Sequence, residues 1–245
     1  MNSVLTALRV FEEVATTQPV GLSELSKRLD VPKSTVQRCL KTLAEAGWIR
    51  PSTANAGQWV ITGRAFSLGS AMSSGDDLRE VALPELNRLQ AETGETVHLA
   101  VPDGNELVLI ERLDSAHQLR AFLALGTRLP LHAASTGKAY LASLPDAEIE
   151  RFLATGLPSL TEHTVTDPAT LRAEIAEIRT RGYAVTDQGL HEGIAAVAVA
   201  LRGRGGTVRG CFSVSGPASR ITPDLFPVYG EKALAARDTI ERFLS

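Results

Sequence analysis

The sequence is poor in the residues that would tie it to redox, metal or membrane chemistry. Its 245 residues hold two cysteines, Cys39 and Cys211, far apart and outside any CxxC spacing. That excludes a disulfide framework, and both read as buried thiols. No run of 18 apolar residues exists, so no membrane-spanning segment is expected. The start lacks the basic, apolar and small-residue order of a signal peptide, and the expectation is a soluble cytoplasmic protein. Five histidines (98, 117, 132, 163, 191) are present, but no G-x-S-x-G elbow, H-x-x-x-H or H-E-x-x-H spacing accompanies them. No catalytic residue, metal or cofactor is therefore assigned. Gly137-Lys138 looks like the end of a nucleotide P-loop, yet His132 stands where that motif needs its first glycine, and Ala139 where it needs Ser or Thr. There is no internal repeat and no low-complexity tract.

What is present suffices for two domains with full cores: 44% of residues are hydrophobic and 22% charged. The net charge of −3 is unevenly spread. Residues 1–75 carry eight Lys or Arg against five Asp or Glu, a net of +3, and the remainder a net of −6. A small basic module on a larger acidic body suits a nucleic-acid binder whose second domain has another task.

The basic module is organised around Pro32 to Gly47. Val36, Cys39, Leu40 and Leu43 recur at helical spacing and form a buried stripe. The opposite face carries Lys33, Ser34, Gln37, Arg38 and Lys41, with no acid before Glu45, which matches what phosphate oxygens and base edges require. Before it, Gly21 to Leu29 reads as a short helix, and Asp30-Val31-Pro32 as a tight turn. After it, Trp48-Ile49-Arg50 and Gln58 to Ile61 read as a two-stranded wing. A first helix over 3–16 places Val4, Leu5, Leu8, Phe11 and Val14 on one stripe. This is a winged helix-turn-helix pattern. Lys33, Ser34, Thr35, Gln37, Arg38 and Lys41 are expected to face a major groove or its phosphates, and Arg50 with the wing loop the backbone or minor groove. The bland alternative is a three-helix unit whose charges are merely solvated.

Three segments are expected: a DNA-binding domain over 1–70, a linker helix region over 71–92 after a small-polar break at 73–77, and a second domain over 93–245. The second domain reads as α+β on an antiparallel sheet, with a hairpin at 96–112 and a third strand at 119–123. Helices are expected at 136–144, 146–154 and 168–181, the last with Asp167 as cap and Pro168 at its first position. Strands follow at 183–186, 195–201 and 208–214, then a closing helix from Thr222 to about Phe243.

Three stretches of that domain suit a ligand. Ser135-Thr136-Gly137 enters a helix, whose free amides attract an anion such as a carboxylate; a well-capped helix with nothing bound is the alternative. Gly182 to Ala196 is a strand, a polar loop and a returning strand, a fair lip for a pocket. Ser213 and Ser215 share one face of a core strand, and two buried hydroxyls need partners, from a polar ligand or from within the sheet.

The chain resembles bacterial transcriptional regulators of the IclR family over nearly its full length. The resemblance is carried by residues 22–43 of the helix-turn-helix, by L-P-L-H-A-A-S-T-G-K-A-Y-L-A at 129–142, by I-R-T-R-G-Y-A-V at 178–185 and by S-V-S-G-P-A-S-R-I-T at 213–222. It implies a winged module, a linker helix and a GAF-like effector domain, in homodimers that often pair into tetramers on double-stranded operator DNA. It also implies that the three stretches line one pocket: Leu129, Ser135, Thr136, Gly137, Asp187, Ile194, Ala196, Ser213 and Ser215. The ligand's carboxylate would lie near Ser135 and Thr136, against Ser213 and Ser215. Many relatives have an acidic run where this chain reads Thr186-Asp187-Gln188-Gly189, and some a Cys where it has Ala196. Leu125, Leu129, Leu131, Ile194 and Ala196 would give an apolar half suited to an aromatic or aliphatic acid. The expectation is a ligand-responsive regulator, more readily a repressor of a catabolic or metabolic operon. The rival classes are a ligand-processing enzyme, an unresponsive architectural DNA binder and a redox sensor acting through Cys39.

Overall fold

The computed structural model describes residues 3–71 and 78–244. It divides into two compact units, 1–76 and 77–245. The small-polar break read at 73–77 lies outside the described residues.

In the first unit, α1 (Ser3–Thr17), α2 (Leu22–Leu29) and α3 (Lys33–Glu45) close on a core of Val10, Val14, Leu25, Val31, Val36, Leu40 and Leu43. The turn between α2 and α3 is fixed by Asp30, whose left-handed φ of 52° ends α2, and by the Ser26 hydroxyl donating to the Val31 carbonyl at 2.7 Å. β2 (Ile49–Pro51) and β3 (Gln58–Ile61) form the wing, and β1 (Val20–Gly21) adds a third antiparallel strand beside β3. Helix α4 (Gly63–Ala71) follows. The stripe read for α1 is corrected. Val4, Leu5 and Leu8 are exposed, whereas Thr6, Val10 and Val14 are buried, so the helix turns a different edge of its apolar surface to the core.

The second unit is a six-stranded antiparallel sheet in the order β6-β5-β4-β9-β8-β7, with helices on both faces. Its strands are β4 (Thr96–Asp103), β5 (Glu106–Leu113), β6 (Arg128–Pro130), β7 (Ala184–Asp187), β8 (Ile194–Arg202) and β9 (Val208–Pro217). Side chains alternate between faces, and directly paired residues share one. Val97, Leu99, Val199, Phe212 and Val214 point to the face covered by α5 (Leu78–Thr93) and α9 (Phe226–Glu241). The helix read as a linker thus buries Leu78, Ala82, Leu86 and Leu89 in this unit's core, with Pro84 inside it.

The other face is small and polar. His98 pairs Ser213, which pairs Ala198; Thr96 pairs Ser215, which pairs Ala196, which pairs Thr186. Those small residues let α6 (Ser135–Ala142) approach the sheet, backed by α7 (Asp146–Leu153) and α8 (Pro168–Arg181). Asp167 caps α8 by accepting from the Thr170 amide at 2.7 Å. Lys138, nearly buried on α6, reaches Glu174 of α8 at 2.7 Å. A 3-10 turn at Pro223–Leu225 leads into α9.

The strand read at 119–123 is also corrected. That segment is an irregular loop, and the third strand of this half is β6. Side chains occupy the loop's carbonyls instead of a ladder: Arg220 donates to Leu119 O at 2.9 Å, Thr96 to Ala121 O at 3.1 Å and Arg112 to Leu123 O at 2.6 Å.

Candidate functional site

Helix α3 separates its two faces cleanly. Val36, Cys39, Leu40 and Leu43 are no more than 8% exposed, while Lys33, Ser34, Gln37, Arg38 and Lys41 are exposed and Thr35 is half-buried. Among the described residues Lys41 has one acidic neighbour, Glu45 at 3.9 Å, a weak solvent-exposed pair. Arg50 is exposed on β2. Arg64, by contrast, is committed: it donates to Ala46 O at 2.8 Å and stacks over Trp48, whose ring meets Phe11 edge-on. The free side of α3 therefore offers donors and cations with little internal competition, as a nucleic-acid surface must.

In the second unit a cavity of about 350 Å³ opens between the polar face of the sheet, the start of α6 and the loop at 120–123. Leu129, Ser135, Thr136, Ile194, Ala196, Ser213 and Ser215, all expected from the sequence, line it together. Four others do not. Gly137, next after Thr136, turns toward Leu131 instead, where an added Cβ would sit 2.5 Å from Leu131 Cα, so it serves the approach of α6 to its own entry loop. Asp187 is exposed because strand alternation points it away from Thr186. Leu131 is core, and Leu125 is 60% exposed beyond the cavity wall.

Several lining residues were not singled out from the sequence. Phe122, Leu123 and Leu190 extend the apolar wall, and Arg120 stands at its edge. His98 and Thr186 add two polar groups to the sheet floor. The floor is a hydrogen-bonded row: Ser213 Oγ lies 3.1 Å from Ser215 Oγ, which lies 3.3 Å from His98 Nδ1. His98 is 2% exposed, and its pKa is lowered to about 4, first by burial and then by the nearby Arg112 charge, with Asp114 opposing. The imidazole is therefore neutral at ordinary pH. Its pairing with Ser213 and Ser215 is invisible in a linear reading, because it depends on the β4-β9 register.

The amides that open α6 have no earlier carbonyls in the helix to bond, and Ala134 supplies no side-chain cap. Facing a partly apolar space, they form a fixed donor set for an anion. Both thiols are buried, Cys39 in the first core and Cys211 in the sheet, where burial pushes its pKa well up.

Comparison with known proteins gives the family. The family described as IclR helix-turn-helix domain matches residues 3–52, and the one described as bacterial transcriptional regulator IclR C-terminal matches 70–242. The chain belongs to the IclR family of bacterial transcriptional regulators. It is similar to the HTH-type transcriptional repressor AllR of Klebsiella pneumoniae, 38% identical over 86% of this chain and 78% of that protein. It is also similar to the transcriptional repressor IclR of Escherichia coli, 32% identical over 96% and 87% respectively. Among solved structures, an IclR homologue of Microbacterium hydrocarbonoxydans complexed with 4-hydroxybenzoate superposes with a TM-score of 0.82 at 26% identity, covering 98% of this chain and all of that one. The Thermotoga maritima IclR gives 0.81 at 27% identity, over 100% and 99%. As an IclR-family member the chain is a DNA-binding transcriptional regulator with a GAF-like C-terminal domain, and not an enzyme. No helix among the described residues is long and apolar enough to cross a membrane.

Proposed function

We propose that this regulator is a ligand-responsive repressor that binds a pseudo-palindromic operator as a homodimer and is controlled by a small carboxylic acid held in the 350 Å³ cavity. The observation that carries the reading is the cavity's composition. Uncapped α6 amides with Ser135 and Thr136 offer an anion end, the Ser213–Ser215–His98 row offers a polar floor, and Leu129, Leu190, Ile194 and Phe122 offer an apolar wall. An aromatic or medium-length aliphatic acid suits that combination better than a two- or three-carbon keto acid, which would leave the wall uncovered. The liganded state of the Microbacterium neighbour, with 4-hydroxybenzoate, is in keeping with an aromatic acid. On the DNA side, Lys33, Ser34, Thr35, Gln37, Arg38 and Lys41 would enter the major groove, with Arg50 and the wing on the backbone or minor groove.

Gel-shift binding to the DNA flanking this protein's own gene, at fixed salt, with and without a panel of aromatic and aliphatic carboxylates, tests the reading. A discrete complex that one acid releases is the expected result. A specific complex that no acid alters would overturn the effector assignment and leave the DNA assignment intact.

A further inference from the structure

The loop from Asp114 to Leu125 is irregular, yet it supplies Arg120, Ala121, Phe122 and Leu123 to the wall of the cavity. A wall without a strand ladder has to be held by other bonds. Alternate carbonyls of the loop show which: Leu119 O accepts from Arg220, Ala121 O from Thr96 and Leu123 O from Arg112. The three donors stand outside the cavity's lining, so they act on the wall and not on what it encloses.

Arg220 is the most elaborately seated of them. Its Nε and Nη2 grip the two carboxylate oxygens of Glu95, and the same Nη2 donates to Leu119 O at 2.9 Å. Glu95 is only 2% exposed, and a carboxylate so buried needs a paired charge. Gly216 makes room for it, since an added Cβ there would stand 2.5 Å from Glu95 Oε2. Glu95 also sits in the middle of the loop's other anchors. Gly94 O accepts from the Ser115 hydroxyl, and Thr96 Oγ1 accepts from the Ser115 amide at 3.3 Å while donating to Ala121 O. Residues 94–96 thus hold both the entry and the middle of the loop, Glu95 acting through Arg220.

We propose that Arg220, seated on Glu95, is a positioning residue for the effector cavity: it fixes where residues 119–123 stand and so sets how long a ligand stays bound, without touching the ligand. The inference rests on the reading of this cavity as the effector site. A wall already in place need not be ordered by each arriving ligand, whereas a loosened wall must be. The difference shows chiefly in the rate of dissociation. An arginine suits the task because its planar fork can close on a carboxylate and still aim a donor at a carbonyl; a lysine keeps the charge but not the fork. Arg220→Lys therefore separates the two duties, retaining a cation for Glu95 and giving up the bond to the loop.

A nitroxide label at Leu119→Cys in the full chain tests this, because that side chain is 66% exposed and both native thiols are buried. The label's spectrum should sharpen in Arg220→Lys and in Thr96→Val, and remain that of the parent in Thr96→Ser, which keeps the hydroxyl. Ile240→Val, on the opposite face of the sheet, is the control: it should lower the melting temperature and leave the label unchanged. Stopped-flow dissociation of 4-hydroxybenzoate and of hexanoate from the unlabelled chains should be about tenfold faster in Arg220→Lys than in the wild type, and unaltered in Ile240→Val. Circular dichroism checks folding, and Glu95→Gln, which loosens the seat of Arg220 while keeping an acceptor, replaces Arg220→Lys if that variant does not fold. A label equally immobile with and without Arg220, or freed as much by Ile240→Val, would overturn the positioning role. A freed label with unchanged dissociation would overturn the link to ligand retention. Failure of the wild-type chain to bind either acid would count against the carboxylate reading, and the label would still decide whether Arg220 places the loop.

Discussion

Two residues illustrate how opposite environments set function. Arg38 is exposed on the free face of α3. If it reads a base edge, Arg38→Ala should cost roughly 1 to 3 kcal/mol of operator binding and relax preference at one base pair. Gel shifts against an operator with each position varied in turn would show this, whereas a uniform loss across all sequences would mark a phosphate contact. His98 is the buried case. Its folded pKa of about 4 lies below the ordinary imidazole value, so between those two values the unfolded chain binds a proton that the native state refuses. Native stability from this residue is complete above about pH 6.5 and is lost as pH falls toward 4. The loss is of order 3 kcal/mol by the low end of that window. Denaturant unfolding at neutral pH and near pH 4.5 should therefore show a smaller drop for His98→Gln than for the wild-type chain.

At the scale of elements, α6 is the piece that must be in place. Alanine normally improves a helix over glycine by up to about 1 kcal/mol, and Gly69 in α4, with nothing near its missing Cβ, should behave that way. Gly137→Ala should do the reverse, because its Cβ would meet the Leu131 backbone at 2.5 to 2.8 Å. A loss of about 1 to 3 kcal/mol is expected from the forced shift of α6. Thermal unfolding of the two variants side by side checks the contrast, and ligand affinity should fall only for Gly137→Ala. Much of this architecture was legible in the sequence because it is local. The α2-turn-α3 spacing, the Asp167-Pro168 start of α8 and the turn between β4 and β5 each write themselves in adjacent residues. The misread strand and helix edge came from partners distant in the chain. Leu119 to Leu123 has strand-like composition, but its carbonyls are taken by Arg220, Thr96 and Arg112, so no ladder forms. The apolar residues of α1 were visible, but which edge the core would cover was not. In the cavity, Ser213 and Ser215 could be placed by alternation alone, whereas His98 and Thr186 join them only through strand register. Asp187 was expected there by neighbourhood along the chain, and one step of alternation points it away from the cavity.

For the whole molecule, charge and linkage set the quantitative expectations. Residues 1–75 are poor in acids and carry a net charge of +3 against −6 for the remainder, so DNA affinity should fall linearly in log–log form with salt. Lys33→Ala and Lys41→Ala should each reduce that slope by about 1 if they meet phosphates. The acidic remainder of the chain is not expected to add to the slope, so removing a charge there, as in Arg209→Ala, should leave it unchanged. Effector control must obey reciprocity: an acid that weakens operator binding tenfold must itself bind tenfold more weakly to the operator complex, a coupling of about 1.4 kcal/mol. Ligand titrations of the free protein and of the saturated DNA complex, at one salt concentration, measure the two arms independently. Agreement is required of any ligand acting through the cavity at equilibrium. An acid that lowers gel-shift occupancy without the matching loss of its own affinity would instead be acting on the DNA or on ionic strength, and the control site would have to be sought elsewhere than in the cavity.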